Sequence, residues 1–333
     1  MNRRAKAMKI SLITPAPKSS RGGNRTTAER WAAILRALGH QVTVATVWDG
    51  KPADLMVALH AWRSAESIRR WREANPAKKL VVALTGTDIY RFQHSHPEET
   101  LESMERADRL VALHDLVHND IPVRFHRKLV VIHQSSPLVR RAKPVARWFE
   151  VLVVGNLREE KDPMRTAFAV RDLPESSRLR VIHLGGAQEP VWADSARGEM
   201  ERNPRYVWKG EVTHGEVRRY MARARLMVLS SHMEGGANVI SEAVMTRLPV
   251  LATGIPGSVG LLGLDYPGYF PIGDAVTLRQ LLQRCENDPD FLALLARHCQ
   301  ARIPLFRAAR ERAAWRTLLA ELAQGGRTQH RVG

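Results

Sequence analysis

Two doubly wound α/β domains are what this chain of 333 residues predicts, on three observations. Short apolar runs alternate with helix-patterned stretches, and strands alternating with helices build a parallel sheet. The intervals between runs are long enough for crossover helices, which parallel neighbours require. The rhythm breaks once, in a polar stretch from Gln134 to Arg147 with Pro137 and Pro144, and then begins again.

The elements follow in order. Lys9–Thr14 is a short apolar strand, followed by a loop and an amphipathic helix from about Thr27 to Leu38, which Gly39 closes in the C′ position. Val42–Val47, Asp54–Leu59, Leu80–Leu84, Leu110–Leu113 and Leu129–Ile132 are the next strands. After the linker come Val151–Val154, Leu179–Leu184, Tyr206–Trp208, Leu226–Leu229 and Leu248–Ala252, and the chain finishes in helices. The expected division is a disordered leader over 1–8, an N-terminal Rossmann-like domain over 9–146 and a C-terminal one over 147–304. A last helix over 305–325 is expected to pack back toward the first domain. Ligands of such sheets lie at the C-terminal ends of the strands.

Composition narrows the function. The hydrophobic fraction of 44% and charged fraction of 26% are ordinary for a globular protein. No apolar run approaches the roughly 20 residues that span a bilayer, and the basic start lacks a signal peptide's apolar region. Cys285 and Cys299 are too few for a disulfide framework, so both are expected as reduced thiols in a cytoplasmic protein. The net charge of +17 implies anionic ligands. Its Arg and Lys residues are scattered over helical faces, as in Ser67–Arg72, with no basic tail or nucleic-acid motif. Phosphorylated small molecules are therefore expected, and neither nucleic acid nor membrane.

The most informative stretch is Glu234-Gly-Gly-Ala-Asn-Val-Ile-Ser-Glu242. An apolar strand precedes it, and helix-forming residues follow from Asn238. The turn thus opens a helix whose free N–H groups can seat a diphosphate. Glu242 lies one turn into that helix and Glu234 just outside it. Carboxylates repel phosphate, so a pair here suits hydroxyls on either side, a ribose and a hexose. The alternative is a helix-start charge and a solvated face.

With Val154-Gly-Asn-Leu-Arg158-Glu-Glu-Lys161, Leu184-Gly-Gly, Lys209-Gly-Glu-Val212 and Pro249–Gly254 in the same order, the second half resembles the retaining-type glycosyltransferases of the GT-B fold. The resemblance implies two Rossmann-like domains with parallel sheets facing across a cleft. It implies that Arg158 and Lys161 hold a donor diphosphate, helped by the amides of Gly235, Gly236, Ala237, Asn238 and Val239. Glu242 would take the ribose hydroxyls, Glu234 the transferred sugar, and the backbone near Val212 the base. Two cations after one strand would offset the diphosphate charge that the glutamates oppose. The chain departs from the family pattern at Asp162, where glycine is common, at Gly236, where an aromatic is frequent, and at Ile255–Val259, which lacks a glutamate.

The first loop, Thr14–Thr27, contains Lys18, Arg21, Gly22, Gly23, Asn24, Arg25 and Thr26. Three cations and paired glycines at a helix start are the elements of an oxyanion nest, or of a flexible surface loop. With Leu84–Phe92 and Ala112–His118, it is similar to the selenosugar synthases of selenoneine biosynthesis. Those join selenophosphate to the anomeric carbon of a UDP-sugar, chiefly UDP-N-acetylglucosamine. Asp88 and His114 are then candidates to orient the sugar or phosphoryl group, or else satisfied structural polar residues, and His60 is a weaker one. The alternative is a transferase of the same fold with a hydroxyl or phosphorylated acceptor. No metal or cofactor is expected. Asp288-Pro-Asp290 is a helix cap, and His114–His118 lacks the glutamate of a zinc motif. Enzymes supplying selenophosphate and consuming the product would be the partners.

Overall fold

The computed structural model describes residues 7–20 and 22–325. These divide into two compact units, one formed by the described residues up to Ser135 with those from Arg307 onward, the other by Ser136–Phe306.

The first unit holds a six-stranded parallel sheet in the order β2-β1-β3-β4-β5-β6. Its strands are β1 (Lys9–Ile13), β2 (Gln41–Ala45), β3 (Leu55–Leu59), β4 (Lys79–Ala83), β5 (Arg109–Ala112) and β6 (Leu129–Val131). β3 is buried along its whole length, as a central parallel strand must be, which is why it reads as an unbroken apolar run. The first helix spans Gly23–Ala37 and begins before Thr27. It ends as a Schellman turn: Gly39, at φ 94°, donates to the Arg36 carbonyl and His40 donates to that of Leu35. The helix Ala308–Gly325 lies in this unit, with Trp315 edge-on to Trp31 at 4.9 Å between ring centroids. Buried Glu311 accepts from Trp31 Nε1 at 2.8 Å and from the Ser135 amide at 2.9 Å.

The second unit holds β7 (Phe149–Val154), β8 (Leu179–Leu184), β9 (Tyr206–Trp208), β10 (Leu226–Leu229), β11 (Val250–Thr253) and β12 (Tyr269–Phe270). All pair in parallel, in the order β12-β11-β10-β7-β8-β9. The chain lays down β7, β8 and β9 in one direction, then returns to place β10 on the other side of β7. Ligands of such sheets bind where the order reverses, here between β7 and β10. In the first sheet the reversal falls between β1 and β3.

The unit boundary falls earlier than the 146/147 expected from the polar linker. Residues from Ser136 join the second unit because their backbone is used there. The Val139 amide donates to Met245 O at 3.4 Å and Ala142 to Ala222 O at 2.9 Å. Arg141 donates to the Met221 carbonyl at 2.7 Å. Among the described residues no helix is long and apolar enough to cross a membrane. Both cysteines are buried free thiols.

Candidate functional site

In the second unit the loops after β7 and β10 flank the reversal point. The first runs through Arg158 into the short turn Glu159–Lys161, and the second carries Glu234 to the helix Asn238–Met245. The two loops are tied together. Ser230 Oγ donates to the Asp162 carbonyl at 2.8 Å, and the His232 amide donates to Glu160 O at 2.9 Å. Lys161 and Glu234, 73 positions apart, form an ion pair with the glutamate side chain only 10% exposed. Arg158 Nε lies 3.8 Å from Glu160 Oε2. A recess at this point is lined by Gly155, Lys161, His183, Ser230 and Ser231, among others.

The backbone explains the shape. Asp162, where the family pattern has glycine, sits at φ 42°, left-handed, a region aspartate tolerates better than most residues. Arg165 Nε holds its Oδ2 at 2.8 Å. Glycine remains indispensable at Gly185, φ 153°, where an added Cβ would lie 2.0 Å from the Gly155 carbonyl oxygen. That contact lets β7 and β8 leave the sheet side by side. Beneath it His183, fully buried, donates from Nε2 to Gly155 O at 3.1 Å and accepts from Tyr206 Oη at Nδ1, at 3.0 Å. Burial pushes its pKa down to about 4, so the ring is neutral.

The helix Asn238–Met245 opens with Ala237 as N-cap, in extended conformation, with no side-chain cap and no acidic residue in its first turn. That leaves the positive end of the helix dipole unopposed by its own side chains. Glu242 is half-buried one turn along it. Gly235 and Ala237 are buried; Gly236, Asn238 and Val239 are half-buried. Val212 lies on a different loop, after β9, fastened to the Gly185 turn by the Gly185 amide donating to Gly210 O at 2.8 Å. The structure thus joins Lys161 directly to Glu234, while Glu242 and Val212 occupy neighbouring elements.

In the first unit the expected acceptor loop differs from a nest. Gly22 is extended (φ −71°, ψ 163°) and serves as the helix N-cap, and neither Gly22 nor Gly23 has the positive φ a nest needs. The Gly22 amide is taken by Ser20 Oγ at 3.1 Å, and the Thr26 amide by Gly22 O at 3.1 Å, so neither is open to an anion. Arg25 pairs with Glu29 at 2.7 Å. Lys18 is exposed, Asn24 half-buried, and Arg21 lies outside the described residues.

Asp88 is likewise a structural anchor. It begins a π-helical turn, Asp88–Phe92, and its two oxygens accept from the amides of Thr85, Gly86, Ile89 and Ala61 at 2.7–3.2 Å. Those four donors match a carboxylate's lone-pair sites, leaving none for a substrate. His60, left-handed at φ 73°, accepts from the Arg63 amide at Nδ1 and so donates from Nε2 to Thr87 Oγ1 at 2.8 Å. His114 accepts from the Leu116 amide at Nδ1, 3.2 Å, which puts its proton on Nε2, facing Tyr90 Oη at 3.0 Å. Tyr90 in turn donates to Asp120 Oδ2 at 3.1 Å. Burial lowers the His114 pKa to about 4 and raises that of Tyr90 far above its usual value. Tyr90 and Asp120 escape sequence reasoning, because no spacing rule links positions 30 apart.

Comparison with known proteins bears on the fold and on the second unit's sequence. Residues 142–295, wholly inside the second unit, match the family described as glycosyl transferases group 1. A Bacillus subtilis protein named as the teichuronic acid biosynthesis glycosyltransferase TuaC is 27% identical over 135 residues, 40% of this chain and 32% of the relative. The chain therefore aligns to about a third of that protein's length. Among solved structures, Anabaena HepE in complex with UDP and glucose superposes with a TM-score of 0.77 at 17% identity, covering 94% of this chain and 100% of the other. Sucrose-phosphate synthase from Thermosynechococcus elongatus gives 0.81 at 16% identity, with 95% and 99% covered. The chain is an α/β protein of the GT-B fold, and its residues 142–295 are similar to the glycosyl transferases group 1.

Proposed function

We propose that the protein is a glycosyltransferase using a nucleotide sugar, and more narrowly a selenosugar synthase. The observation that supports the donor half is the reversal point of the second sheet. There Lys161, Glu234 and the start of the helix Asn238–Met245 meet at one place. A cation and a helix N-terminus suit a diphosphate, and carboxylates beside them suit sugar hydroxyls. HepE binds UDP and UDP-glucose in its solved complexes, which favours a uridine diphosphate sugar here too.

In the proposed reaction, selenium of selenophosphate attacks the anomeric carbon of a UDP-sugar, UDP-N-acetylglucosamine for preference. The carbon–selenium bond forms as the bond to UDP oxygen breaks, and UDP leaves with the electron pair. Water then cleaves the selenium–phosphorus bond and releases phosphate. An anionic selenium needs no general base, as thiolates need none. Arg158 and Lys161 would stabilise the departing diphosphate. Support for this acceptor is the likeness of residues 14–27, 84–92 and 112–118 to the selenosugar synthases, together with the net charge of +17. A second reading, a hydroxyl acceptor, is favoured by the teichuronic acid relative. One mass spectrum of the chain with UDP-N-acetylglucosamine and selenophosphate decides. A selenosugar with released UDP is expected; transfer to hydroxyl acceptors alone would overturn the narrower proposal.

A further inference from the structure

Ser231 emerges from the donor site with no part assigned to it. Its side chain is fully buried, and its Oγ donates to Glu234 Oε1 at 2.6 Å. The Lys161 ammonium contacts the same oxygen. Both contacts of the carboxylate therefore fall on Oε1, and Oε2 has no hydrogen-bond partner among the described residues. A carboxylate gripped by two donors at one oxygen has a fixed plane and presents the other oxygen.

The serine is itself held from behind. Thr253 Oγ1, at the end of β11, donates to the Ser231 carbonyl at 2.6 Å. On the far side, the helix Pro256–Leu262 approaches the loop so closely that a Cβ at Gly257 would lie 2.1 Å from Glu234 O. The backbone carrying Ser231 and Glu234 is thus clamped by two elements, and the hydroxyl can act as a rigid donor.

We infer that Ser231 is the positioning residue that aims Glu234 Oε2 at a hydroxyl of the transferred sugar. Its importance grows when the donor arrives. A diphosphate competes for the Lys161 ammonium, and what it draws away from Glu234 leaves the Ser231 hydroxyl as the support of Oε1. One lysine thereby serves both halves of the donor, and the serine keeps the sugar half in register.

The inference rests on the nucleotide-sugar reading, and the test separates the two. Affinities for UDP and for UDP-N-acetylglucosamine are measured by calorimetry on the full chain and on Ser231→Ala, Glu234→Ala and the double variant. Expected are a UDP affinity within about 2-fold of the parent in Ser231→Ala and a loss of about 10-fold for the sugar nucleotide, the size of one charge-assisted hydrogen bond. In the Glu234→Ala background the serine change is expected to have no further effect, a coupling that a merely structural serine would not show. Additive losses, an unchanged sugar-nucleotide affinity in Ser231→Ala, or an equal loss of both ligands would overturn the role of Ser231 while leaving the donor reading intact. Failure of the parent chain to bind UDP would instead sink the donor reading, and the inference with it.

Discussion

Arg158, Glu242 and Arg21 offer the simplest separation of donor from acceptor. A charge-assisted hydrogen bond contributes roughly 1.5–3 kcal/mol, so Arg158→Ala and Glu242→Ala are expected to weaken UDP binding by about 10- to 100-fold. Arg21→Ala is expected to leave it within about 2-fold and to weaken the anionic acceptor instead. Calorimetric titration with UDP checks all three, and equal losses would refute separate sites. His183 gives a pH-dependence. Its folded pKa, about 4, lies below the ordinary 6.5 because the ring is buried. Above pH 6.5 both states are neutral; between 6.5 and 4 the unfolded chain takes up a proton that the folded ring refuses. Stability is therefore expected to fall as pH drops through that window, by on the order of 3 kcal/mol from this residue. Urea melts of the parent and of His183→Gln at pH 7 and pH 5 test it: the variant should show the shallower dependence.

At the scale of elements, the Gly257 approach to Glu234 is the tightest constraint on the site loop. Gly257→Ala must push the loop aside, at about 1–3 kcal/mol in stability, and should lower sugar-nucleotide affinity as Glu234 moves. Denaturation midpoints and titrations on that variant measure the two effects, and unchanged binding would show that the loop yields elsewhere. Most strands were legible because buried parallel strands are uninterrupted apolar runs; β12, two residues long, has no such run to detect. The first helix starts earlier than its sequence suggests, since Gly23 and Asn24 are poor helix formers that tertiary packing overrides. In the candidate site, the sequence singles out Arg158, Lys161, Glu234 and Glu242 as charged residues in or beside Gly-rich turns, and the structure joins Lys161 to Glu234. Ser231 was not, because a single hydroxyl has no periodicity and its meaning depends on which oxygen it meets. For the same reason the sequence leaves Asp88 open between a substrate ligand and a structural polar residue, and its four backbone donors favour the second.

For the whole molecule, the first unit is discontinuous, and Glu311 fastens its parts. Removing that side chain leaves Trp31 Nε1 and the Ser135 amide buried without acceptors. Glu311→Ala is expected to destabilise the chain by about 2–4 kcal/mol, read as a lower melting midpoint by tryptophan fluorescence; a shift under about 0.5 kcal/mol would show that water replaces the carboxylate. This arrangement also orders events during synthesis. Trp31 leaves the ribosome 284 residues before Trp315, the ring that covers it. At roughly 5–20 residues per second the delay is about 15–60 s. Throughout it the nascent first half carries an uncovered indole, while the second half, continuous from Ser136 to Phe306, has all it needs to collapse. The part of the polypeptide made in the middle is therefore free to reach its native state before the part begun first, and the interval is when chaperones have most to guard.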